Sequence, residues 1–285
     1  MQFITPDEAR QSYRIIKAAL KEDIRTGDIT TNAVIRPRQK ASAVIIAKSG
    51  GILAGIHFCA QTFSIVNENI SMSFPVEEGK SIKKGQRVLE IRGSAVAILK
   101  AERTALNLLG RMSGIAALTA KFVEKVKGTK VKVLDTRKTM PGLRLFDKYA
   151  VRVGGGYNHR YGLDDMFLIK ENHAAAAGDI AAAVRKCLDY RKRYNMDAQI
   201  VAEASSLETA EKAADAGADR ILLDNMTPDD VREIVQKLHG KVELEVSGGI
   251  TLKNVRAYAE TGVDYISIGM LTHSAPAVDF SLLVI

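Results

Sequence analysis

Short apolar runs recur through the second half of the chain, and longer segments with helical periodicity separate most of them. Each run is rich in aliphatic or aromatic residues and is bounded by polar or turn residues, as strands are. Because strands that alternate with helices pair in parallel through right-handed crossovers, the region should form a barrel or an open parallel sheet. The predicted strands are Val131 to Leu134, Phe167 to Ile169, Ile200 to Ala202, Ile221 to Leu223, Glu243 to Val246 and Tyr265 to Ile268.

The segments between these strands carry helix start signals, because several follow a Ser, Thr or Asp that can cap a first turn. Polar residues suited to chemistry follow all the predicted strands rather than one switch point between them, which favours a barrel over an open sheet. The predicted helices are Ile180 to Tyr194, Leu207 to Ala216, Pro228 to Leu238 and Leu252 to Glu260.

The first half of the chain has a different pattern. Helical spacing of apolar residues behind an acidic start predicts an amphipathic helix from Pro6 to about Asp23. Short β-like runs broken by glycine turns between Ala41 and Arg92 predict a small α+β unit. The segment from Ala95 to Lys127 predicts a helix or a helix pair with one buried face, formed by Ala101, Ala105, Leu108, Leu109, Met112 and Ile115.

Composition narrows the classes of partner. The net charge of +8 suits nucleic acid, an anionic membrane surface or small anionic substrates. Long basic runs and RNA-binding signatures are absent and only 6% of residues are aromatic, so nucleic acid is the weakest of the three. The two cysteines, Cys59 and Cys187, lie in no ligand spacing, so neither a disulfide nor a zinc site is expected. No run approaches the roughly 18 apolar residues of a membrane span, and the first residues lack a signal-peptide core, so we predict a cytoplasmic protein without a membrane partner.

Cations concentrate at the ends of the first two predicted strands. Asp135-Thr136-Arg137-Lys138-Thr139 follows one strand, and Lys170 follows the next. Between them lies Gly154-Gly155-Gly156-Tyr157-Asn158-His159-Arg160, which does not match a dinucleotide-binding glycine pattern and should be a tight loop. Since the carboxyl ends of barrel strands meet at one mouth, this pattern predicts an anion-binding substrate pocket.

The remaining strand ends supply a different set of groups. Glu203 and Asp224 could bind sugar hydroxyls or, directly or through water, Mg²⁺, although ion pairs with nearby cations are the plainer alternative. Gly248-Gly249, followed by a helix from Thr251, predicts a phosphate-binding turn with Gly269 as its second wall, although a glycine pair also serves as an ordinary βα turn. Together these groups suit a polyanionic substrate, a divalent metal and a phosphate held in one mouth.

Four stretches of the chain resemble motifs of the quinolinate phosphoribosyltransferase family, the carboxylating nicotinate-nucleotide diphosphorylases of NAD biosynthesis. They are Leu134 to Gly142, Gly154 to Arg160, Leu168 to His173 and Leu222 to Met226. Further similarities cover nearly the whole chain and lie at Glu22 to Thr31, Ala101 to Asn107, Ser247 to Ile250 and Ile268 to Ser274.

The resemblance implies a fold and an assembly. It implies an N-terminal α/β sandwich domain over residues 1–113, completed by the tail 274–285, and an incomplete α/β barrel of six or seven parallel strands over residues 114–273. It also implies a homodimer with composite active sites, in which Arg103 reaches the neighbouring subunit's site, and leaves assembly beyond the dimer open. The substrates it implies are quinolinate and phosphoribosyl pyrophosphate, with Mg²⁺ and no organic cofactor.

The resemblance also implies roles for residues. Arg137, His159, Arg160 and Lys170 match the receptor for the pyridine dicarboxylate, and Lys138 matches a lysine near the diphosphate. Glu203 and Asp224 match the ribose and metal carboxylates, which with Lys138 and Lys170 form the expected catalytic set. Around Glu203 the family often has two or three alternating acids, whereas here a single glutamate serves. The residues that match the phosphate end are Ser247, Gly248, Gly249, Gly269 and His273.

Three alternatives remain open at this point. A phosphoribosyltransferase for nicotinate or another heterocycle would keep the phosphate end and differ at the dicarboxylate receptor. A barrel aldolase or lyase would use Lys170 as a Schiff-base amine activated by neighbouring cations. A basic nucleic-acid or scaffold protein would show steeply salt-dependent binding and no turnover.

Overall fold

The computed structural model describes residues 5–285. Up to residue 125 its elements are α1 (Pro6–Ile24), α2 (Ile29–Val34), β1 (Lys40–Ala47), β2 (Gly51–Ile52), α3 (Ile56–Val66), β3 (Ser71–Ser73), β4 (Ser81–Ile82), β5 (Arg87–Ser94) and α4 (Ala95–Lys125). The remaining elements are β6 (Lys132–Leu134), α5 (Arg144–Val153), β7 (Phe167–Ile169), α6 (Glu171–Ala177), α7 (Ile180–Arg193), β8 (Ile200–Ala204), α8 (Leu207–Asp215), β9 (Arg220–Asp224), α9 (Pro228–Leu238), β10 (Glu243–Ser247), α10 (Val255–Ala259), β11 (Tyr265–Ser267), α11 (Met270–His273) and β12 (Phe280–Val284).

The chain divides into two compact units. The first unit comprises the described residues up to Ala120 together with Thr139–Gly155 and Leu271–Ile285. The second unit comprises Lys121–Lys138 and Gly156–Met270. No helix within residues 5–285 is both long and apolar enough to cross a membrane.

The first unit contains an antiparallel sheet in the order β12-β1-β5-β3. The helix expected near the N-terminus forms as α1 because Thr5 and Glu8 make a reciprocal capping box, with Thr5 N donating to Glu8 Oε2 at 2.9 Å and Glu8 N donating to Thr5 Oγ1 at 3.2 Å. The segment predicted as a helix or a helix pair is the single helix α4, and its six predicted apolar positions are all buried.

The tail packs closely on α4. Val278 N donates to the carbonyl of Gly110 at 3.0 Å. A Cβ at Gly110 would lie 2.7 Å from the carbonyl oxygen of Val278, and one at Gly114 would lie 2.1 Å from that of Pro276. Two glycines one helical turn apart therefore let the backbone of the tail approach the helix before it pairs with β1 as β12.

The second unit is an incomplete parallel barrel. All the strands predicted for it form, and their order is β6-β11-β10-β9-β8-β7, so the first strand of the unit lies beside the last. The pairing of β6 with β11 closes the ring between the first and last strands of this unit. On the other side of β6, Tyr157 bridges Leu134 in parallel, and within residues 5–285 the ring has no ladder between β6 and β7. The expected barrel with an N-terminal α/β sandwich is confirmed.

Two helices that lie between β6 and β8 in the sequence were absent from the sequence-based prediction. The helix α5 buries Leu145, Phe146, Tyr149 and Ala150 in the first unit, although its sequence lies between two strands of the second. The short helix α6 begins directly after Lys170. The segment of α5 was not assigned to any element from the sequence, and the segment that begins α6 was considered only for the strand-end position of Lys170.

Candidate active site

Strand register brings four predicted residues to one side of the barrel mouth. Asp224 lies opposite Ser247 in the β9–β10 ladder, and Glu203 lies opposite Leu222 one alternation earlier in the β8–β9 ladder. Because β-strand side chains alternate with a period of two, these residues share the inner side of the sheet. Lys170 extends the register of β7 with β8 and places its Nζ 2.7 Å from Glu203 Oε2.

The two carboxylates and two lysines form one electrostatic cluster. Burial and then the charge of Glu203 raise the pKa of Asp224 above its ordinary value. Lys170 and Lys138 act in the opposite direction on the same pKa. Both lysines therefore lie close enough to Asp224 to stabilise negative charge there.

Lys170 itself is ion-paired and half exposed. The Lys170 side chain is 53% exposed to solvent, whereas the Glu203 side chain is 18% exposed. A Schiff-base lysine is usually desolvated or placed beside other cations. A contact with a carboxylate in water instead favours the anion-binding role over the aldolase role.

Asn225 is a residue whose role the sequence-based prediction missed. Its backbone adopts φ 55°, its N–H donates to the Ser247 carbonyl at 2.9 Å, and its Nδ2 donates to Asp224 Oδ2 at 2.7 Å. It thereby orients Asp224 and ties the end of β9 to β10. An Asn directly after a strand-end Asp is a usable signal, because Asn tolerates the left-handed conformation better than most residues.

The glycine turn has the backbone expected of a close-approach loop. Gly248 and Gly249 have φ values of 95° and 61°. A Cβ at Gly248 would lie 2.2 Å from Asn225 Oδ1, whereas a Cβ at Gly249 would meet no atom within 4 Å. Any side chain at position 248 would clash with Asn225, so packing requires a glycine there. Beside Gly249, in contrast, there is open space next to the backbone.

The helix predicted to start after this turn begins later than expected. It starts at Val255, because Asn254 Oδ1 accepts from Thr251 N at 2.7 Å and Asn254 Nδ2 donates to the Gly249 carbonyl at 3.0 Å. These bonds hold residues 251–254 as a turn. The prediction that a helix N-terminus reaches the glycine turn is wrong, and the turn's own backbone remains as the candidate anion contact.

Arg137 and Arg160 form a second group of cations, close enough for the charge of Arg137 to act on Arg160. Arg160 is 9% exposed, and its Nη1 donates to the Met166 carbonyl at 3.1 Å. Burial and then the charge of Arg137 lower the pKa of Arg160. Within residues 5–285 the buried Nε of Arg137 has no hydrogen-bond partner. Adjacent guanidinium groups with an unused buried donor are suited to an anion with more than one carboxylate.

Buried groups behind Arg160 position its segment. Asp135 is fully buried, accepting from Asn158 Nδ2 at 2.6 Å and from His159 N at 2.9 Å. Asp135 therefore holds the segment that carries His159 and Arg160. The Nδ1 of His159 accepts from Arg160 N at 2.8 Å, and its Nε2 lies 3.3 Å from Glu245 Oε1.

Other predicted residues have simpler surroundings. Lys138 is exposed, and its N–H donates to Thr136 Oγ1 at 3.0 Å. His173 accepts a hydrogen bond at Nδ1 from Lys170 N at 3.0 Å. Gly269 follows β11 and is half-buried. Arg103 on α4 and His273 on α11 belong to the first unit, where both are exposed.

The carboxylates suit a magnesium ion that is held mainly by substrate. No group of three or more His, Cys, Asp or Glu side chains within residues 5–285 could enclose a metal. Mg²⁺ is commonly bound by one or two carboxylates together with substrate phosphates and water. The pair of Glu203 and Asp224 fits that donor set.

Comparisons with known proteins agree with this fold. Residues 28–113 match the family model described as the N-terminal domain of quinolinate phosphoribosyl transferase, and residues 115–283 match that of its C-terminal domain. The probable nicotinate-nucleotide pyrophosphorylase [carboxylating] of Bacillus subtilis is 42% identical over 95% of this chain and 93% of its own length. The nicotinate-nucleotide pyrophosphorylase [carboxylating] of Mycobacterium leprae is 40% identical over 97% of both chains.

A solved structure extends the similarity to the whole fold. The nicotinate-nucleotide pyrophosphorylase of Francisella tularensis superposes with a TM-score of 0.92 at 39% identity, over 99% of this chain and 98% of that one. The sequence matches and the structural superposition thus each cover nearly the whole chain. The chain belongs to the quinolinate phosphoribosyltransferase family.

Proposed function

We propose that this protein converts quinolinate and phosphoribosyl pyrophosphate into nicotinate mononucleotide, diphosphate and CO₂, a step of de novo NAD biosynthesis. The observation that carries the proposal is the pair of Arg137 and Arg160, two guanidinium groups that repel one another electrostatically and of which Arg137 has a buried donor without a hydrogen-bond partner within residues 5–285. Quinolinate presents two neighbouring carboxylates, and bidentate arginines are the receptors that such groups prefer.

The charged cluster at the mouth supports the sugar and diphosphate end of the proposal. Lys138 and Lys170 act on the same carboxylate, Asp224, so they can also stabilise the negative charge of a departing diphosphate. The open space at Gly249 suits a phosphate group approaching the backbone. Ser247, Gly269 and His273 complete the proposed phosphate end by family resemblance.

The proposed reaction has two stages. The quinolinate nitrogen bonds to C1 of the ribose as the bond from C1 to the diphosphate breaks, while Glu203 and Asp224 offset the positive charge on the sugar. The bond to the ring carboxylate next to the nitrogen then breaks. The cationic ring holds the released electron pair until a proton replaces CO₂, so no organic cofactor is required.

We propose Glu203 and Asp224, directly or through water, as the protein contacts of Mg²⁺. Bound between these carboxylates and the diphosphate, the ion would neutralise charge on the leaving group. The residues of this chain provide the orientation. Lys170 Nζ holds Glu203 at 2.7 Å, and Asn225 Nδ2 holds Asp224 at 2.7 Å.

One assay tests the proposed activity. Purified protein is incubated with quinolinate, phosphoribosyl pyrophosphate and Mg²⁺, and nicotinate mononucleotide and CO₂ are measured. We expect both products in equal amounts and none without Mg²⁺. Turnover of nicotinate in place of quinolinate would contradict the dicarboxylate assignment, and a borohydride-trapped adduct on Lys170 would support an aldolase instead.

We further propose a cytoplasmic homodimer in which Arg103 of one protomer enters the pocket of the other. Arg103 is exposed on α4, as a residue that crosses to a neighbour must be. Mixing inactive Arg103→Ala and Lys170→Ala dimers tests this arrangement. Each mixed dimer would regain one intact site, so random mixing should restore about a quarter of wild-type activity. No recovery despite subunit exchange would contradict a composite site.

A further inference from the structure

A cluster of charged and polar side chains lies inside the second unit and includes His159, which the family resemblance assigns to the dicarboxylate receptor. Glu245 on β10 is fully buried and accepts hydrogen bonds from Ser267 Oγ and, at 3.1 Å, from Arg220 Nη1. Arg220 also donates to Glu243 at 2.9 Å, and its guanidinium lies 3.8 Å from the ring centroid of Tyr265. We call Arg220, Glu243, Glu245, Ser267 and His159 the interior network.

His159 connects this network to the substrate pocket. Since Arg160 N donates to Nδ1 at 2.8 Å, that nitrogen presents a lone pair and the ring proton is on Nε2. Nε2 faces Glu245 Oε1 at 3.3 Å. The ring therefore bridges a buried carboxylate and the backbone of Arg160, and both of its nitrogens are engaged within the protein.

The surroundings of Glu245 keep it in the acceptor form that this bridge needs. Burial alone would raise the pKa of Glu245, but hydrogen bonds from His159 and Ser267 and the charge of Arg220 outweigh burial and lower it. An ionised carboxylate has no proton to donate and can only accept from Nε2. Glu245 thus selects the tautomer of His159 that can accept from Arg160 N.

We propose that Glu245 is a positioning residue that acts through His159 to fix Arg160 for the pyridine dicarboxylate. The proposal rests on the proposed function, because that function assigns Arg160 to quinolinate. Two adjacent guanidinium groups repel one another before the ligand arrives. Their separation must be imposed by the protein, and such preorganisation raises ligand affinity without a new contact to the ligand.

Two substitutions on the same strand separate positioning from general stability. Glu245→Gln removes the charge that faces His159 and keeps the side-chain size. Glu243→Gln is the matched control, because Glu243 also binds Arg220 but is 41% exposed and accepts its other hydrogen bond from the Tyr265 hydroxyl at 2.9 Å. We expect Glu245→Gln to raise KM for quinolinate about 10-fold or more, and Glu243→Gln to change it less than about 2-fold.

The second substrate sharpens this comparison. KM for phosphoribosyl pyrophosphate should change less than about 2-fold in either variant, because its proposed contacts lie on other residues. An equal rise in both KM values for Glu245→Gln, or an equal rise in KM for quinolinate in both variants, would indicate a merely structural network. Either result would overturn the proposal.

Histidine ¹⁵N NMR tests the bridge without any assay of turnover. In the wild-type protein the His159 resonances, assigned with a His159→Gln variant, should show Nε2 protonated and Nδ1 unprotonated near pH 7.5. Glu245→Gln should change this signature, and Glu243→Gln should not. A wild-type ring protonated at Nδ1 would overturn the proposal, even if Glu245→Gln failed to fold.

The outcomes also distinguish this proposal from the proposed function. If wild-type protein does not turn over quinolinate, the proposed function fails, whereas the NMR signature still reports on the bridge. If wild-type turnover is normal and Glu245→Gln leaves KM for quinolinate unchanged, only the positioning role fails.

Discussion

The second unit contains two sets of charged residues that differ in how completely they are paired. The mouth site, made of Arg137, Lys138, Arg160, Lys170, Glu203 and Asp224, includes adjacent arginines and a buried Nε that has no hydrogen-bond partner within residues 5–285. In the interior network, Arg220 binds two carboxylates and Glu245 accepts from three side chains.

The difference indicates what each set of charges does. A buried polar group that is fully hydrogen-bonded specifies one packing arrangement, whereas unused donors cost free energy unless a ligand meets them. The interior network is therefore expected to affect stability most when it is broken. The mouth site should affect catalysis far more than stability.

Removal of Arg220 should give the largest effect. Arg220→Met leaves Glu245 buried without its cation, so the free energy of unfolding should fall by about 3 to 5 kcal/mol. Urea unfolding followed by tyrosine fluorescence would measure it, since the chain has no tryptophan. The control is Arg191→Met, which breaks a half-exposed pair with Asp219 and should cost about 1 kcal/mol. Equal losses would contradict the expectation that the buried interior network stabilises the fold more than a partly exposed ion pair does.

Removal of Arg160 should instead lower catalytic activity strongly and change stability little. Arg160→Ala should lower kcat/KM for quinolinate by about 10² to 10³-fold, because a buried charged contact to a carboxylate is lost. The urea midpoint should stay close to that of wild type, since the change also relieves repulsion from Arg137. Arg185→Ala, an exposed arginine on α7, is the kinetic control. A variant with full activity would remove Arg160 from the substrate site.

The glycine turn allows a finer comparison within the mouth. Gly248→Ala should lower the free energy of unfolding by more than about 2 kcal/mol, because its Cβ would collide with Asn225 in addition to the positive-φ strain. Gly249→Ala should cost about 1 kcal/mol, since open space lies beside it. Urea unfolding of the two variants measures the difference. A reversed order would show that the Asn225 contact does not constrain the turn.

The smallest expected effect is the pH dependence of the interior network. Because the pKa of Glu245 is lowered on folding, its ionised form stabilises the protein above the ordinary glutamate value of 4.5, and this contribution is lost as the pH falls through the lower, folded-state value. The groups that face Glu245 are His159, Arg220 and Ser267. The stability advantage of wild type over Glu245→Gln should therefore shrink as the pH falls below 4.5. An advantage that grows on acidification would reverse the assigned sign.

Much of the architecture was predictable because its causes are local. The six barrel strands follow from apolar runs, and α1 follows from a capping box between residues three apart. The positions of Lys170, Glu203 and Asp224 at strand ends could also be predicted, since parallel strands in a barrel direct their carboxyl ends to one mouth. The family could be recognised from motifs that lie within single segments.

Other features depend on pairings between residues far apart in the chain. No local pattern indicates that Glu245 meets His159, 86 positions earlier by residue number, or that α5 packs in the first unit although barrel strands flank it in the sequence. The start of α10 was displaced by side-chain hydrogen bonds of Asn254, which compete with the helical pattern.

Local patterns in the sequence specify the elements, the family and the types of side chain at the strand ends, because periodicity, capping and strand-end position act over a few residues. Which charges are paired depends on the tertiary fold. Strand register places Arg220 beside Glu243 and Glu245, whereas Arg160 is left to interact with another cation, Arg137. Arginine and glutamate therefore stabilise the fold in the interior network, whereas in the proposed site arginine is the substrate receptor.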